Sequence, residues 1–438
     1  MVEQNWTKLT PEQKRQYKFE KFASTEAEES YKKRVQRLVD VYNIREPDMV
    51  PVSLPLGNLP CLLYGVNMYG LMYEHEKAIE AYRRFNKEYA EELEVYASPM
   101  LESGRPMELL GYKLYVWPGH GLPREAPGFQ FVEGEYMRQD EYDALIRDPS
   151  DFWIRTYLPR VFSVFEPVKM TQPLTDITEI IGANQFSVLA TPEAQDALQK
   201  MLDAGKEYRK KAEATKESFG QAAAHGYPGG KGVFCKAPFD IIGDTLRGTH
   251  GIMMDMYRQP DKLLKALDVI ADITIASVLN SPGIKDCLIV SYPLHKGADG
   301  WMSQKQFEKF YWPSLRKVMN AFIQEGLMQS LFAEGAYNTR LETVNEFPKG
   351  FVDWRFDQTD MARAKQVLGE KCCIEGNIPS SLMVTGSPAD VKEYCRKLIE
   401  VCGKGGGYIL TAGATADNPK LENLRAVMAA AKEYGVYR

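Results

Sequence analysis

Two side chains that can donate or accept a proton follow apolar runs in the second half of the sequence. Glu334 comes shortly after the run 327–332, and His295 comes shortly after the run 287–292. A carboxyl group flanked by Phe, Ala and Gly is expected to have a raised pKa through desolvation, unless a cation pairs with it. Histidine is the usual acid–base group near neutral pH. Both residues are therefore predicted to be catalytic, either as acids or as ligands of a metal or another cation.

Structural roles remain open for the same two residues. Glu334 could instead form a salt bridge to Arg340 or Arg355, and His295 could be a loop histidine with a local hydrogen bond. A third catalytic candidate is Asp357, just beyond another apolar run. The nearby Asp360 is expected to cap the helix that follows it, because Asp before an apolar-periodic segment is a common N-cap.

Four further residues are candidates for substrate binding. Arg355 alternates with Trp and Phe, so it is predicted to point inward, toward the substrate or toward Glu334 or Asp357. Asn377 lies after a predicted strand, where an Asn often only shapes a turn. The set is Asn377, Arg355, Lys296, which follows His295, and His120, which lies in a loop rich in Gly and Pro that could cover a site.

The elements that would position these residues are six β-then-α units between residues 232 and 434. Strands are predicted at 232–237, 286–292, 327–332, 351–354, 372–374 and 408–411. The helical patterns lie near 262–279, 304–325, 340–346, 361–368, 389–402 and 421–434. Near-continuous apolar strands that alternate with helices indicate a parallel sheet buried on both faces.

With two earlier strands added, the count fits an α/β fold of the single (β/α)8 TIM-barrel type. Earlier strands are predicted from three apolar segments, at 48–55, at 110–117 and at 129–136, the last two joined by a long loop. An open doubly wound sheet is the competing architecture, although no GxGxxG follows the first strand. Active sites of barrels lie at the C-terminal ends of the strands, where the candidate residues stand.

The chain is predicted to consist of an N-terminal helical extension, 1–45, and a barrel, 46–438. Within the extension, Thr10, Pro11 and Gln13 form a capping signal, and 31–42 has an amphipathic helical pattern. In the barrel, Ser387, Pro388 and Asp390 predict a capped helix whose apolar stripe includes Cys395 and Cys402. Both cysteines are therefore expected in the core.

Composition excludes several classes of partner. The chain has 54 basic and 59 acidic residues among 438, a formal net charge of −5, which gives no general reason to expect nucleic acid or a membrane surface as a partner. No apolar run is long enough to span a bilayer, and the N-terminus lacks a signal-peptide pattern. Seven cysteines without a CxxC predict a cytoplasmic location. No His/Cys cluster has convincing metal-ligand spacing.

The second half of the chain resembles the uroporphyrinogen decarboxylase superfamily, which also contains methyltransferases that exchange methyl groups with corrinoid proteins. The stretches that carry the resemblance are 302–313, 357–360, Glu-Gly-Asn at 375–377, 385–391 and 422–428, with a thinner match at 31–52. The resemblance implies a single (β/α)8 barrel. It does not extend to the middle of the chain, about 56–170.

The departures from the family pattern narrow the expected chemistry. True decarboxylases carry an Arg-Gln-Ala-Gly-Arg segment after the first strand, whose arginines hold the carboxylates of a porphyrinogen; here 55–61 contains no cation. Zinc methyltransferases of the superfamily carry a His-x-Cys and a later Cys. This chain has Phe332-Ala-Glu334 and 411–415 without Cys or His, so the thiolate motif is absent.

These observations favour a corrinoid-dependent methyltransferase. It would move a methyl group from a small substrate, such as an O-methylated aromatic, to a corrinoid on a cobalamin-binding partner protein. Zinc or another metal bound by oxygen and nitrogen ligands stays open, as does a homodimer. The alternatives are a decarboxylase or lyase for a small carboxylic acid or tetrapyrrole, with Lys236 and Arg247 holding carboxylates, and a non-catalytic tetrapyrrole- or corrinoid-binding barrel.

Overall fold

The computed structural model describes residues 21–99, 101–229, 232–282, 284 and 287–437. Those residues contain strands β1 Val52–Ser53, β2 Tyr115–Pro118, β3 Gly121–Leu122, β4 Gln130–Phe131, β5 Gly232–Phe234, β6 Ile289–Leu294, β7 Met328–Ala333, β8 Val352–Phe356, β9 Cys373–Ile378 and β10 Tyr408–Ala412. The helices of eight or more residues are Thr25–Tyr42, His75–Leu93, the 3-10 helix Ile180–Ala190, Pro192–Ala224, Gly248–Arg258, Pro260–Leu279, Trp312–Gln324, Met361–Leu368, Pro388–Cys402 and Leu421–Tyr434. Shorter α-helical segments are Leu59–Leu62, Met68–Tyr73, Gly104–Leu110, Tyr142–Arg147, Pro149–Phe152, Leu158–Val161, Pro238–Asp240, Gln304–Gln306, Leu341–Val344 and Ser380–Thr385, and π-helical turns occupy Trp153–Tyr157, Ile241–Leu246 and Phe307–Tyr311.

Seven strands form one curled parallel sheet in the order β1-β10-β9-β8-β7-β6-β5. Within the described residues its edge strands β1 and β5 do not pair with each other, so the predicted barrel is confirmed as a parallel α/β sheet but not as a closed eight-stranded ring. The two strands predicted in the middle of the chain are present in shorter form. They pair with each other, and β2 also pairs with β3, in a separate three-stranded sheet. Pro118 ends β2 without an N–H to donate, which limits its extension.

The two faces of the parallel sheet differ in burial. One face carries Tyr292, Leu331 and Trp354, which are fully or almost fully buried in a core shared with the surrounding helices. The opposite face, called here the inner face, carries Ser291, Pro293, Phe332, Arg355 and Glu375, each of which keeps some exposed surface. Because successive side chains of a strand point to opposite faces, this difference follows from the alternation of the sequence.

The first described helix packs against the N-terminal ends of the strands. Thr25–Tyr42 begins after Ser24, whose side chain accepts a hydrogen bond from the Ala27 N–H. Its last turn contributes Val41, which packs with Cys373 and Ile409, while Tyr42 packs against the neighbouring strands. The helix predicted over 31–42 is therefore confirmed, whereas the capping signal at Thr10–Gln13 lies outside the described residues, and the division at residue 45 stays a prediction.

Local signals in the second half are confirmed at several helices. Asp360 caps Met361–Leu368 by accepting the Arg363 N–H at 3.1 Å. Ser387 and Asp390 form the predicted capping box of Pro388–Cys402. Cys395 and Cys402 are fully buried. No helix within the described ranges combines the length and the apolar character needed to cross a bilayer.

Candidate active site at the strand ends

The strand register gathers the candidate residues at one edge of the sheet. Pro293, Phe332 and Arg355 are neighbours across β6, β7 and β8, and Arg355 is opposite Glu375 of β9. Two positions further along each strand is the same face of the sheet. At those positions, where the parallel strands end, stand His295, Glu334, Asp357 and Asn377.

His295 is held by one carboxylate and faces another. Its Nδ1 donates to Asp244 Oδ2 at 2.6 Å, and its Nε2 lies 3.8 Å from Glu334 Oε1. The hydrogen bond from His295 to Asp244 is the main reason why the pKa of the imidazole is raised; burial opposes this, and the negative charges of Asp240 and Glu334 add to it. His295 therefore keeps its proton to higher pH than a free histidine does.

Glu334 is a half-buried acid beside that imidazole. Desolvation raises the pKa of its carboxyl group, the charge of His295 lowers it, and the carboxylates of Asp244 and Asp357 raise it further. Its side chain keeps 43% of its exposure, and that of His295 keeps 35%. Neither predicted salt bridge to Glu334 forms within the described residues, because Arg340 pairs with Asp299 and the guanidinium of Arg355 bonds to Ala412 O. Glu334 thus remains accessible from outside and close to a proton donor.

Asp244 is the hub of the cluster, and the sequence analysis missed it. Its carboxylate binds Lys236 Nζ at 2.6 Å and Lys296 Nζ at 3.0 Å, in addition to His295. Burial alone would raise the pKa of Asp244, but the hydrogen bond from His295 and the charges of Lys236 and Lys296 hold it well below its usual range. Asp244 is therefore a permanent anion that orients the imidazole.

A second missed carboxyl, Asp240, fixes the loop that carries His295. It is fully buried, accepts the backbone N–H of His295 and of Lys296 at 3.0 and 3.1 Å, and accepts the Tyr311 hydroxyl at 2.8 Å. Burial and the charge of Asp244 raise its pKa to about 6. Asp240 and Asp244 are four residues apart, so they share one face of a helical turn, which is the signal that could have revealed them.

Asp357 and Asn377 act on the loop of Glu334. Asp357 Oδ2 accepts the N–H of Gly335, the residue after Glu334, at 3.1 Å. Asn377 donates from Nδ2 to Asp357 O at 3.1 Å and to Thr359 O at 2.8 Å. The structure therefore brings both residues to the edge of the site, and the buried Asn377 amide holds the loop after β8.

The remaining candidates are placed differently. Lys296 is buried and bonded to Asp244 and to Thr249 Oγ1 at 2.9 Å, so its ammonium is already used. His120 is exposed and stacks on Trp117 with ring centroids 4.2 Å apart. Within the described ranges, His120 contacts Trp117 through its ring and its backbone, and it makes no hydrogen bond to the residues at the strand ends. Arg355 lies on the inner face below the level of Glu334.

The donor set does not fit a structural or thiolate metal centre. The described part of the chain contains no group of three or more His, Cys, Asp or Glu side chains arranged to hold a metal. Cys235, which follows β5, is buried, and desolvation raises the pKa of its thiol to about 12. In the part of the chain that the structure describes, His295 and Glu334 offer one nitrogen and one oxygen close together, which is fewer ligands than the sites that zinc prefers.

Comparison with known proteins identifies the second half of the chain. Residues 230–434 match the family model described as uroporphyrinogen decarboxylase (URO-D). This match confirms the resemblance of the second half to the uroporphyrinogen decarboxylase superfamily. The match covers β5 to β10 and therefore the candidate site residues from Asp244 to Asn377.

The curated relatives that match this chain are distant in sequence. A uroporphyrinogen decarboxylase from Aeromonas salmonicida (strain A449) is 21% identical over 264 residues, which cover 58% of this chain and 66% of the relative. A second, from Sodalis glossinidius (strain morsitans), is 21% identical over 183 residues, 40% of this chain and 49% of the relative. The chain thus spans between about half and two thirds of the length of these relatives.

A solved structure extends the likeness to the whole fold. The methyltransferase from Methanosarcina mazei superposes with a TM-score of 0.55 and 16% identity, and the match covers 91% of this chain and 98% of that one. At this identity the likeness shows a similar overall fold and nothing more. The family resemblance found in the sequence is therefore confirmed.

Proposed function

We propose that this chain is an enzyme that transfers a methyl group from a small O-methylated substrate to a corrinoid carried by a partner protein. The observation that carries the proposal is the facing pair of His295 Nε2 and Glu334 Oε1 at the strand ends, 3.8 Å apart. Both groups have a raised pKa, so each keeps its proton to higher pH than the free side chain does. Their partial exposure leaves the pair accessible to a cofactor that arrives on another protein.

A proton donor answers the chemical need of demethylation. The corrinoid of the partner would supply the nucleophile. This nucleophile accepts the methyl group and provides the electron pair of the new bond. The O–CH3 bond of the substrate breaks, and its electron pair stays on the oxygen. That oxygen becomes an alkoxide or phenoxide unless it receives a proton, and Glu334 or His295 is placed to donate it. Proton donation of this kind contributes about 10² to 10⁴ in rate.

The other residues of the cluster position this pair. Asp244 keeps the Nδ1 proton of His295 in place, so that Nε2 faces the site. Asp357 fixes the loop of Glu334 through the Gly335 N–H. The buried Asp240 anchors the backbone of His295 from the opposite side. An acid held in this way needs little reorganisation when the leaving group departs.

Porphyrinogen decarboxylation is less well supported, although the curated relatives carry that name. The segment 54–63 after β1 contains no Arg or Lys. The two cations proposed as carboxylate holders are already engaged, because Lys236 binds Asp244 and Arg247 binds Asp255 at 2.6 Å. A substrate with several carboxylates needs guanidinium groups that are free to bind it.

The first test is direct methyl transfer. Purified protein is incubated with a Co(I) corrinoid protein and a panel of methoxylated aromatics, and the visible spectrum is followed for methylcobalt formation. We expect methylcobalt with at least one substrate, and a decrease of about 10² to 10⁴ in rate for Glu334→Gln. The absence of methylcobalt over the whole panel, or release of carbon dioxide from an acid substrate instead, would contradict the proposal.

A further inference from the structure

Arg355 is a cation on the inner face that forms no ion pair with a carboxylate among the described residues. Its Nε and Nη2 donate to the same carbonyl, Ala412 O, at 3.3 and 3.1 Å. Its guanidinium carbon lies 4.9 Å from the centre of the Phe332 ring, over the ring face. A guanidinium has more N–H donors than these two bonds use, and within the described residues the others have no partner. A half-buried arginine with spare donors suits a planar anion.

The nearest acids on the same face do not form an ion pair with Arg355 among the described residues. Glu375 is opposite Arg355, and the charge of Arg355 lowers the pKa of Glu375 without a direct contact between them. Glu375 lies against Asp353, and burial raises the pKa of both carboxyl groups. Such a pair keeps a proton to higher pH than two separate carboxyl groups do, and it then carries one negative charge instead of two. The N–H donors of Arg355 that bind neither acid therefore remain for a ligand.

The distance from Arg355 to the acid pair suits one small molecule. Arg355 is level with Phe332 in the sheet, and Glu334 follows Phe332 by two residues. At about 3.3 Å per residue, the two levels are roughly 7 Å apart along the strands. A single substituted ring can contact both levels at once.

The surface between these levels is open and partly apolar. Phe332 and Pro293 are register neighbours and both are half-buried. In the next layer Phe234 is opposite Ser291, and 70% of the Phe234 residue surface is exposed. Exposed aromatic and proline surface beside a cation can pack against a flat ring whose polar end is bound by the guanidinium.

From this geometry we propose that the substrate carries a single carboxylate, which binds Arg355 while its methylated oxygen lies at Glu334 and His295. This inference rests on the proposed function, because it assigns the substrate class of the same site. The guanidinium of Arg355 can balance one negative charge, and the neighbouring residues on the same face, Asp353, Asp357 and Glu375, are acids that add no positive charge to offset a second. A phosphate with two charges would meet these acids without enough cations to offset them.

Binding without the partner protein tests this assignment separately from methyl transfer. The full chain is titrated by calorimetry with 4-methoxybenzoate and with its neutral isostere 4-methoxybenzamide, and inorganic phosphate is added as a competitor. We expect the acid to bind at least about tenfold more tightly than the amide, a difference of about 1.4 kcal/mol, and phosphate not to displace it. Equal binding of acid and amide, displacement by phosphate, or no binding of the acid up to about 10 mM would overturn the inference.

Variants distinguish the two proposals. Arg355→Met is expected to abolish the preference for the acid, and Arg355→Lys to keep part of it, since an ammonium offers charge without the planar fork. The matched control is Arg363→Met, because Arg363 lies in the helix after the same strand but pairs with Glu342 on the outside. Glu334→Gln should lose methyl transfer and still prefer the acid. If Arg355→Met keeps the preference of the wild type, the inference fails even when methyl transfer is observed.

Discussion

His295 lies between carboxylates, and this arrangement determines when its imidazole carries a proton. The Asp244 hydrogen bond raises the pKa of His295. The ion pair therefore stabilises the fold fully below the ordinary histidine value of about 6.5, and this contribution is lost as pH rises through the higher folded pKa. In the proposed reaction, the same shift extends to higher pH the range in which His295 can act as an acid.

The substitution Asp244→Asn tests this electrostatic account at the level of one residue. Loss of the carboxylate should lower the pKa of His295, and the decline of activity at high pH should move to lower pH. The measurement is an NMR titration of the imidazole protons, which is tractable because the chain has 5 histidines. The exposed His250 serves as the internal control and should not shift. An unchanged titration of His295 would mean that Asp244 does not set its proton affinity.

At the scale of elements, the strands of the second half were predictable and the turn after β5 was not. The apolar runs predicted β6 to β10 to within a few residues, and the residues after them predicted His295, Glu334 and Asp357 as neighbours in the fold. Asp244 lies in the π-helical turn Ile241–Leu246, and its partner His295 is 51 residues away in sequence. No local spacing encodes a contact over that separation. The placement of β2 to β4 in a separate sheet also depends on tertiary packing that alternation cannot reveal.

The buried acid pair of β8 and β9 predicts how the sheet responds to pH. Asp353 is fully buried, its Oδ2 accepts Ser330 Oγ at 3.0 Å, and its Oδ1 has no partner among the described groups. Burial raises the pKa of Asp353 above its usual range. The native state therefore holds a proton that the unfolded chain loses above about pH 3.9, so stability declines as pH rises from there toward the folded pKa.

Replacement of this acid by its amide should remove that pH dependence. For Asp353→Asn we expect a free energy of unfolding at pH 8 that is higher by on the order of 1 kcal/mol, because the amide needs no proton to stay neutral. Urea unfolding at pH 5 and pH 8 measures the effect. Asp268→Asn, on the exposed partner of Lys317, is the control and should change neither value appreciably. A destabilised variant with an unchanged pH slope would show that Asp353 is ionised in the native state.

At the scale of the whole molecule, the first described helix and the candidate site lie at opposite ends of the strands. The helix Thr25–Tyr42 packs at the N-terminal ends, and the pair of His295 and Glu334 lies at the C-terminal ends. Between them the inner face carries Arg355 and partly apolar surface, where the proposed substrate would bind.

The dependence of methyl transfer on the leaving group tests this central claim most directly. A series of methyl aryl ethers with increasingly acidic phenols is assayed with the wild type and with Glu334→Gln, in single turnovers with the corrinoid partner. If Glu334 and His295 protonate the departing oxygen, the variant should lose about 10² to 10⁴ in rate with the least acidic phenols and little with the most acidic ones. An equal loss across the series would contradict the account, because it would show that Glu334 does not donate a proton to the leaving group.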